Sequence, residues 1–547
     1  MGQYPKARTH GAKPGWRFSE WYGHVPTSTV FWFAALSLFS FLLHWPFLHL
    51  PMISDEGGYA YVAQRWIDGR GTLYDDLWVS RPQGIFLAYA AIFHTLGTSV
   101  VALRIGAWIV GLLTMVVVWR IAREWGGMHT ARLATLLFAV ISGSPAIEGF
   151  TANAEVFMAL PAAGCVVVLY RAFKRGWTPI LLIATGLLIG VATLLKPSGI
   201  VMLPVAIAFT WIATDASNRM VMKRSAWISL GFFAALAPAF IHGYLVGWDN
   251  FVFASITYRI THQSSATNSA THHAHALFEL VARVWPILAA TLLPIAIRWW
   301  TLEDRMGRAS WVPGIAQSRV GIVSWMNARP RIQPGQEGVQ LLRLWMLGCL
   351  VGIAMGGDWW FHYLIQIAAP LSIWLAITLL DVRKLLNPRG GWVMGVAVAV
   401  LLMIPYSVAA KGSPSAITKA IYGHPGYPDQ MPVANYLMEN SPPGTPIFVA
   451  FDQAALYYLA DRPSIYRYLY DQELRSLPES QEALISIIES PYRPMYIVGT
   501  RQVAPFPDRG QAFWAAVSRH YHWEADVRGV PIYRANLPPP RNLTPDL

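Results

Sequence analysis

The pattern of apolar and polar positions divides the chain into long apolar runs separated by short polar loops. Runs such as "STVFWFAALSLFSFLLHW", "GAWIVGLLTMVVVW", "PILLIATGLLIGVATLL", "SLGFFAALAPAFIHGYLV" and "GWVMGVAVAVLLMIPYSV" approach the length, about 20 residues, at which a helix crosses hydrocarbon. They predict about eleven spanning helices, at 30–48, 101–122, 130–145, 155–171, 178–195, 198–213, 226–246, 278–298, 341–356, 360–380 and 391–409. Two further stretches lie in the first outer segment, 49–100. In 55–67, Tyr59, Val62, Ala63, Trp66 and Ile67 form a helical stripe, which predicts an interfacial helix with its apolar face in lipid or against the bundle. Residues 82–98 read as a juxtamembrane or re-entrant helix on the same side. From about 411 the pattern changes: "VANYLMEN", "PIFVAF", "DQAALYYLADR" and "PMYIVGT" read as helix, strand, helix, strand. Residues 411–547 are thus expected to form a small α/β domain outside the membrane.

Composition agrees, with 54% hydrophobic and only 13% charged residues, about half the charged share of soluble domains. The net charge of +12 is distributed topologically. Lys and Arg cluster in alternate loops, at Lys6–Arg17, Arg120–Arg132, Arg171–Arg175, Arg219–Arg224, Arg305–Arg331 and Arg383–Arg389, and the loops between are nearly free of them. This positive-inside alternation puts residues 1–29 in the cytoplasm and the C-terminal domain on the extracytoplasmic side of the cell (inner) membrane. It explains the charge without a nucleic-acid partner. Residues 30–48 read as a retained anchor, because no small-residue cleavage site follows near Pro46. The two cysteines, Cys165 and Cys349, lie in apolar runs and read as packing residues.

On this topology the polar residues at outer helix ends are Asp55, Glu56, Arg65, Arg81, Glu148, Asn153, Glu155, Lys196, Arg259, His262 and His362. Ionisable groups near a bilayer core are costly and mark function. Acids and cations meeting on one face suit a reaction with an anionic leaving group. Each residue also has a plainer reading. Ser54 with Asp55 and Glu56 fits an N-cap and first-turn acids, and Asn153 with Glu155 fits the same pattern. Arg81 fits an interfacial anchor, Lys196 a snorkelling helix end, and His362 a satisfied intramembrane histidine. His262, His272, His273 and His275 sit in a Ser/Thr/Ala-rich stretch that reads as a loop or a metal site. The C-terminal part has no Gly-rich phosphate loop and no metal-spaced His/Cys set, so nucleotide binding has no support there.

The stretches "SDEGGYAYVAQRWIDG" and "LWVSRPQGIFLAYAAIFHTLG", supported by "NAEVFM", "LLKPSG" and "DWWFHYLIQIAAPLSIWLA", resemble the GT-C membrane glycosyltransferases. Specifically, they are similar to the protein O-mannosyltransferase and lipid A aminoarabinose transferase superfamily. The resemblance covers roughly 25–410 and implies a GT-C transmembrane catalytic domain over 30–410. It further implies a polyprenyl-phosphate-linked sugar as donor and a glycan, lipid or protein hydroxyl on the extracytoplasmic face as acceptor. Asp55 aligns with the family's catalytic Asp, expected to be the general base of an inverting single displacement. Arg81 and Lys196 align with proposed phosphate binders, joined here by Arg259. Glu155 matches a second acidic position, and Glu56, Tyr59 and His362 complete the expected sugar or acceptor set.

One departure concerns metal. Some relatives carry a metal-ligating acid just before the basic residue of the Pro motif, where this chain has Ser80. A divalent metal then rests only on Glu56 and His262. The competing class is a transporter or flippase of a lipid-linked sugar, which often shows internal repeats; none is visible here. A non-catalytic scaffold would leave the one-sided set of Asp55, Arg81, Glu155 and Lys196 unexplained.

Overall fold

The computed structural model describes residues 27–213, 217–261, 270–306, 335–357, 359–422, 430–477, 479–500 and 506–536. Its helices are α1 (Thr27–His44), α2 (Ser54–Ile67), α3 (Gln83–Leu96), α4 (Val100–Ser142), α5 (Ala154–Lys174), α6 (Pro179–Leu195) and α7 (Met202–Ile212). There follow α8 (Asn218–Val252), α9 (Tyr258–Thr261), α10 (Ala270–Met306), α11 (Glu337–Ala354), α12 (Ile365–Leu385) and α13 (Pro388–Met403). All eleven apolar segments read from the sequence coincide with helix. Among the described residues, eight helices are long and apolar enough to cross a membrane, and the Pro179–Leu195 and Pro197–Ile212 segments are shorter. The runs 101–122 and 130–145 are arms of α4, broken at Gly127, where φ of +81° suits a residue without Cβ. Large apolar side chains stand exposed on α1 (Phe31, Leu38), α8 (Phe233, Leu245), α10 (Phe278, Leu292) and α13 (Trp392, Val393). In a soluble protein such a surface would be a liability; here it is the face offered to lipid.

In residues 49–100 both expected helices are present, α3 as a non-spanning helix and α2 packed against protein rather than lipid. At 14 residues α3 is about 21 Å long, too short to span. α2 does not lie with an apolar face in lipid: every residue from Glu56 to Ala63 is buried. Its N-cap is Ile53, not Ser54. The reason is the C-terminal part, which sits directly on α2. A Cβ at Gly57 would collide with the backbone of Ala455, and one at Gly58 with the hydroxyl of Tyr470. The two glycines let the layers meet backbone to backbone.

That C-terminal part carries the helices Gln430–Asn440, Ala455–Leu459, Asp471–Ser476, Ser480–Glu489 and Gln511–His520 around a four-stranded sheet. The strands are β1 (Ile447–Ala450), β2 (Tyr496–Gly499), β3 (Tyr521–Val527) and β4 (Val530–Ala535), in the order β1-β2-β4-β3. β1 and β2 are parallel, with Ile447 opposite Tyr496; the β3–β4 hairpin adds antiparallel to β2. The four elements read from the sequence are all present, and the hairpin is an addition. The core is continuous: Ile447, Val449, Ala455, Leu456 and Tyr457 belong to the same buried cluster as Tyr59, Val62 and the membrane helices. Cys165 and Cys349 are free and buried.

Candidate functional site

The site begins at the N-terminus of α2, where adjacent carboxylates take opposite directions. Glu56 turns inward, 1% exposed, onto Arg104 of α4. Arg104 Nη2 donates to its Oε2 at 2.8 Å and Nε to Oε1 at 3.2 Å. The amides of Ala152 and Ile53 donate to the same carboxylate at 2.7 and 3.2 Å. Arg104 spends its remaining N–H groups on the carbonyls of Phe47, Leu48, Leu50 and Pro51. Glu56 therefore ties the start of α2 to α4 and the turn before α5. The expected sugar-binding or metal role for it does not fit, because both oxygens are engaged inside the protein.

Asp55 turns the other way and keeps 28% of its side chain exposed. Its Oδ2 lies 3.7 Å from Arg81 Nη2 and 3.8 Å from His362 Nε2, ion-pair distances too long for tight hydrogen bonds. Arg81 is held by its own contacts: Nε donates to the Tyr59 hydroxyl at 2.8 Å and Nη1 to the Ser80 carbonyl at 2.9 Å. The hydroxyl of Tyr59 is thus occupied in placing Arg81. Arg259 of α9 reaches the same Ser80 carbonyl at 3.0 Å through Nε.

Across from Asp55, His362 Nδ1 is 3.1 Å from Glu148 Oε2, while Nε2 is 3.8 Å from Glu155 Oε1. Glu155 forms a buried ion pair with Lys196, whose ammonium lies 3.9 Å from the centre of the Tyr363 ring. The sequence around both loop cations explains their placement. Pro197 forces Lys196 out of helix into an extended conformation (φ −150°, ψ 131°) at the end of α6. Pro82 caps α3 in the same way just after Arg81. A cavity of about 970 Å³ opens from Lys196 and Arg259 between α6, α8 and the end of α11. Its walls are largely apolar, among them Leu194, Phe232, Leu236, Phe240 and Met355.

The C-terminal domain covers the other side. Ser54 Oγ donates to Asp452, and Gln430 bonds both the amide and the carbonyl of Met52. Tyr470 closes over Gly58. Glu473 is 2% exposed with its Oε2 unpartnered. Burial pushes its carboxyl up to about 8, and the charges of Asp471 and Asp452 act in the same direction while Arg81 opposes them.

The structure brings together Asp55, Tyr59, Arg81, Glu148, Glu155, Lys196, Arg259 and His362. Asn153 occupies the N-cap position of α5 with its side chain turned to Thr151. Arg65 lies apart, on the carbonyl of Arg70. Arg104, Arg283, Tyr470 and Glu473 were missed. Arg104 and Arg283 are single cations in apolar stretches ("VALRIGAW", "LVARVWP"), the same mark that singled out Lys196. His262 lies outside the described residues. Among the described residues no three His, Cys, Asp or Glu side chains group to hold a metal ion. At Ser80 the carbonyl is taken by two guanidinium groups, a setting that disfavours a divalent cation.

Residues 80–242 match the family model described as dolichyl-phosphate-mannose-protein mannosyltransferase. No curated protein matches the chain. Among solved structures, ArnT from Cupriavidus metallidurans bound to undecaprenyl phosphate aligns with 93% of this chain and 98% of its own, at 16% identity and a TM-score of 0.56. The archaeal oligosaccharyltransferase AglB from Archaeoglobus fulgidus, in complex with an inhibitory peptide and a dolichol-phosphate, aligns with 94% of this chain and 75% of its own, at 12% identity and a TM-score of 0.52. At such identities the likeness is one of fold. The fold is that of the GT-C membrane glycosyltransferases, and the chain is a multi-pass membrane protein.

Proposed function

We propose that this protein transfers a sugar from a polyprenyl-phosphate donor to an acceptor hydroxyl on the extracytoplasmic face of the membrane. One observation carries the reading: the apolar cavity of about 970 Å³ has Lys196 and Arg259 in its lining, and that end joins the cluster containing Asp55. A cavity greasy along its length and cationic at one end suits a lipid phosphate. The fold relatives solved with undecaprenyl phosphate and dolichol-phosphate support the same donor class.

In this reading Arg81, Lys196 and Arg259 stabilise the phosphate as it leaves with the bonding electron pair. Asp55, the most exposed acid of the cluster, takes the proton from the acceptor oxygen as that oxygen attacks the anomeric carbon. A single displacement inverts the configuration. Glu155, neutralised by Lys196, orients the sugar. No metal is required, since phosphate is a good leaving group and three cations stand ready for it.

The test is direct. Full-length protein in detergent is incubated with radiolabelled undecaprenyl-phosphate-linked mannose, galactose, glucose or aminoarabinose and a cell-envelope extract. Transfer from one of these donors is expected, and it requires no sidedness, which separates a transferase from a flippase. Lack of transfer from all four overturns the reading. The side of the membrane is tested with Ser518→Cys, exposed on the outer domain. Because Cys165 and Cys349 are buried, an impermeant maleimide should label the variant from outside the cell with little background. Protection there inverts the topology.

A further inference from the structure

We propose that His362 is a positioning residue for Asp55: anchored by Glu148, its imidazolium holds the Asp55 carboxylate aimed at the acceptor. The proposal rests on the reading of Asp55 as base given above. It concerns a residue that the expected mechanism used only as a contact for sugar or acceptor.

The geometry around the ring carries it. Three carboxylates converge on one imidazole: Glu148 at 3.1 Å from Nδ1, and Asp55 and Glu155 each at 3.8 Å from Nε2. A neutral ring has one N–H and one lone pair. If the proton is on Nδ1, toward Glu148, the Nε2 lone pair faces two carboxylate oxygens. If it is on Nε2, the Nδ1 lone pair faces Glu148. Either tautomer sets lone pair against anion in a buried setting, where such repulsion is strong. The imidazolium has an N–H on each side and removes the conflict. The remaining charges are already matched. Glu155 has Lys196, and Glu148 has Arg283 of α10 at 3.8 Å. Arg81 divides its donors among Asp55, the Tyr59 hydroxyl and the Ser80 carbonyl.

Glu148 is itself held unusually firmly. It adopts a left-handed conformation (φ +56°), which costs a residue with Cβ and persists only when its surroundings fix it. Its carbonyl accepts from the Thr151 amide at 3.0 Å and the Thr151 hydroxyl at 2.7 Å. Arg283 donates to the neighbouring Pro145 carbonyl at 3.1 Å and lies over the Phe361 ring at 3.9 Å. The ring of Tyr363 stands edge-on to His362 at 5.0 Å. This framework sets the imidazole in one orientation. His362 does not take the transferred proton. In the transfer step the acceptor O–H bond breaks, its proton passes to Asp55, the new C–O bond forms at the anomeric carbon, and the phosphate leaves with the old pair. The imidazolium keeps Asp55 turned toward the acceptor during that step, with Glu148, Glu155, Lys196, Arg81 and Arg283 completing the charges around it.

The test compares kcat and KM for the wild type and His362→Gln, using whichever of the four undecaprenyl-phosphate-linked sugars the wild type accepts. Removing the cation should lower kcat by about tenfold or more with the donor KM little changed, because the base loses its aim while the donor site is kept. Glu148→Gln, whose amide oxygen still accepts from Nδ1, should stay within about tenfold of wild type, whereas Glu148→Ala should behave like His362→Gln. A raised donor KM with kcat unchanged overturns the proposal, as does full activity in His362→Gln. If His362→Gln gives no product, His362→Lys decides: recovered transfer supports the role of charge. Failure of His362→Lys while the protein still binds tritiated undecaprenyl phosphate rejects it. Absence of transfer by the wild type from every donor strikes the transferase reading instead.

Discussion

Asp55 and Glu56 are chemical near-equals at adjacent positions, yet the fold treats them in opposite ways. Glu56 is sealed from solvent and receives four short hydrogen bonds, two from Arg104 and two from backbone amides. Asp55 keeps part of its surface open, and its two cationic neighbours stand at 3.7 and 3.8 Å. A carboxylate with every lone pair committed has nothing left to offer a substrate. One held by charge at a distance keeps its orientation and still has oxygens free to accept a proton. The difference comes from a rotation of about 100° between successive helix positions, which turns one acid toward α4 and the other toward Arg81 and His362.

The comparison is most sharply broken by Asp55→Asn. Transfer should fall by about 10²–10⁴-fold, measured with a radiolabelled lipid donor, while thermal unfolding in detergent stays near that of wild type. Glu56→Gln should do the reverse in kind. It leaves Arg104 buried without its counter-charge, at a cost of about 3–5 kcal/mol, seen as a lower unfolding temperature and poor yield. Replacing both, Glu56→Leu with Arg104→Met, should recover much of that loss. A Glu56→Gln protein as stable as wild type but inactive would exchange the roles assigned to the two acids.

Glu473 offers a third case, a carboxyl with an oxygen that nothing partners. Because its carboxyl is held at about 8, the folded state keeps a proton that the unfolded chain gives up near the ordinary carboxylate range. Stability is therefore complete below that range and declines as pH rises toward about 8, by at most about 1.4 kcal/mol per pH unit. Glu473→Gln should abolish this slope and exceed the wild type in unfolding temperature above that pH. The smallest effect is expected of Tyr59→Phe, which removes one hydrogen bond to Arg81. It should lower transfer by about tenfold or less, with the loss reading mostly in kcat/KM.

Hydrophobic periodicity made the membrane helices legible, because in a bilayer the apolar run and the helix are nearly the same thing. Charge asymmetry then sorted the loops, so Asp55, Arg81, Glu155, Lys196 and His362 could be gathered on one side before any coordinates. What stayed hidden was direction around a helix axis. Whether Glu56 or Asp55 is sealed inside the protein depends on where α4 places Arg104, a contact 48 residues away in the chain. The stripe on α2 was read as apolar with lipid or the bundle as its cover, whereas part of that cover comes from Tyr470 and Ala455, about 400 residues further on. Short-range patterns cannot announce such a partner. The doublet Gly57-Gly58 was the available hint, since two glycines inside a helix are costly unless something must come close.

That closeness bears on how the protein can be divided. The composition shift near 411 invites a cut between a membrane bundle and a soluble appendage, but Tyr457, Val449 and Ile447 share one buried cluster with Tyr59 and Val62. A bundle truncated there would lose the covering of Gly57 and Gly58, the partner of Ser54 and the clamp on Met52, all within a few residues of Asp55. The ceiling over the Asp55 cluster is built from residues about 400 positions further along the chain. Synthesis must therefore pass Tyr470 before that ceiling can close, and a shorter chain leaves the cluster open.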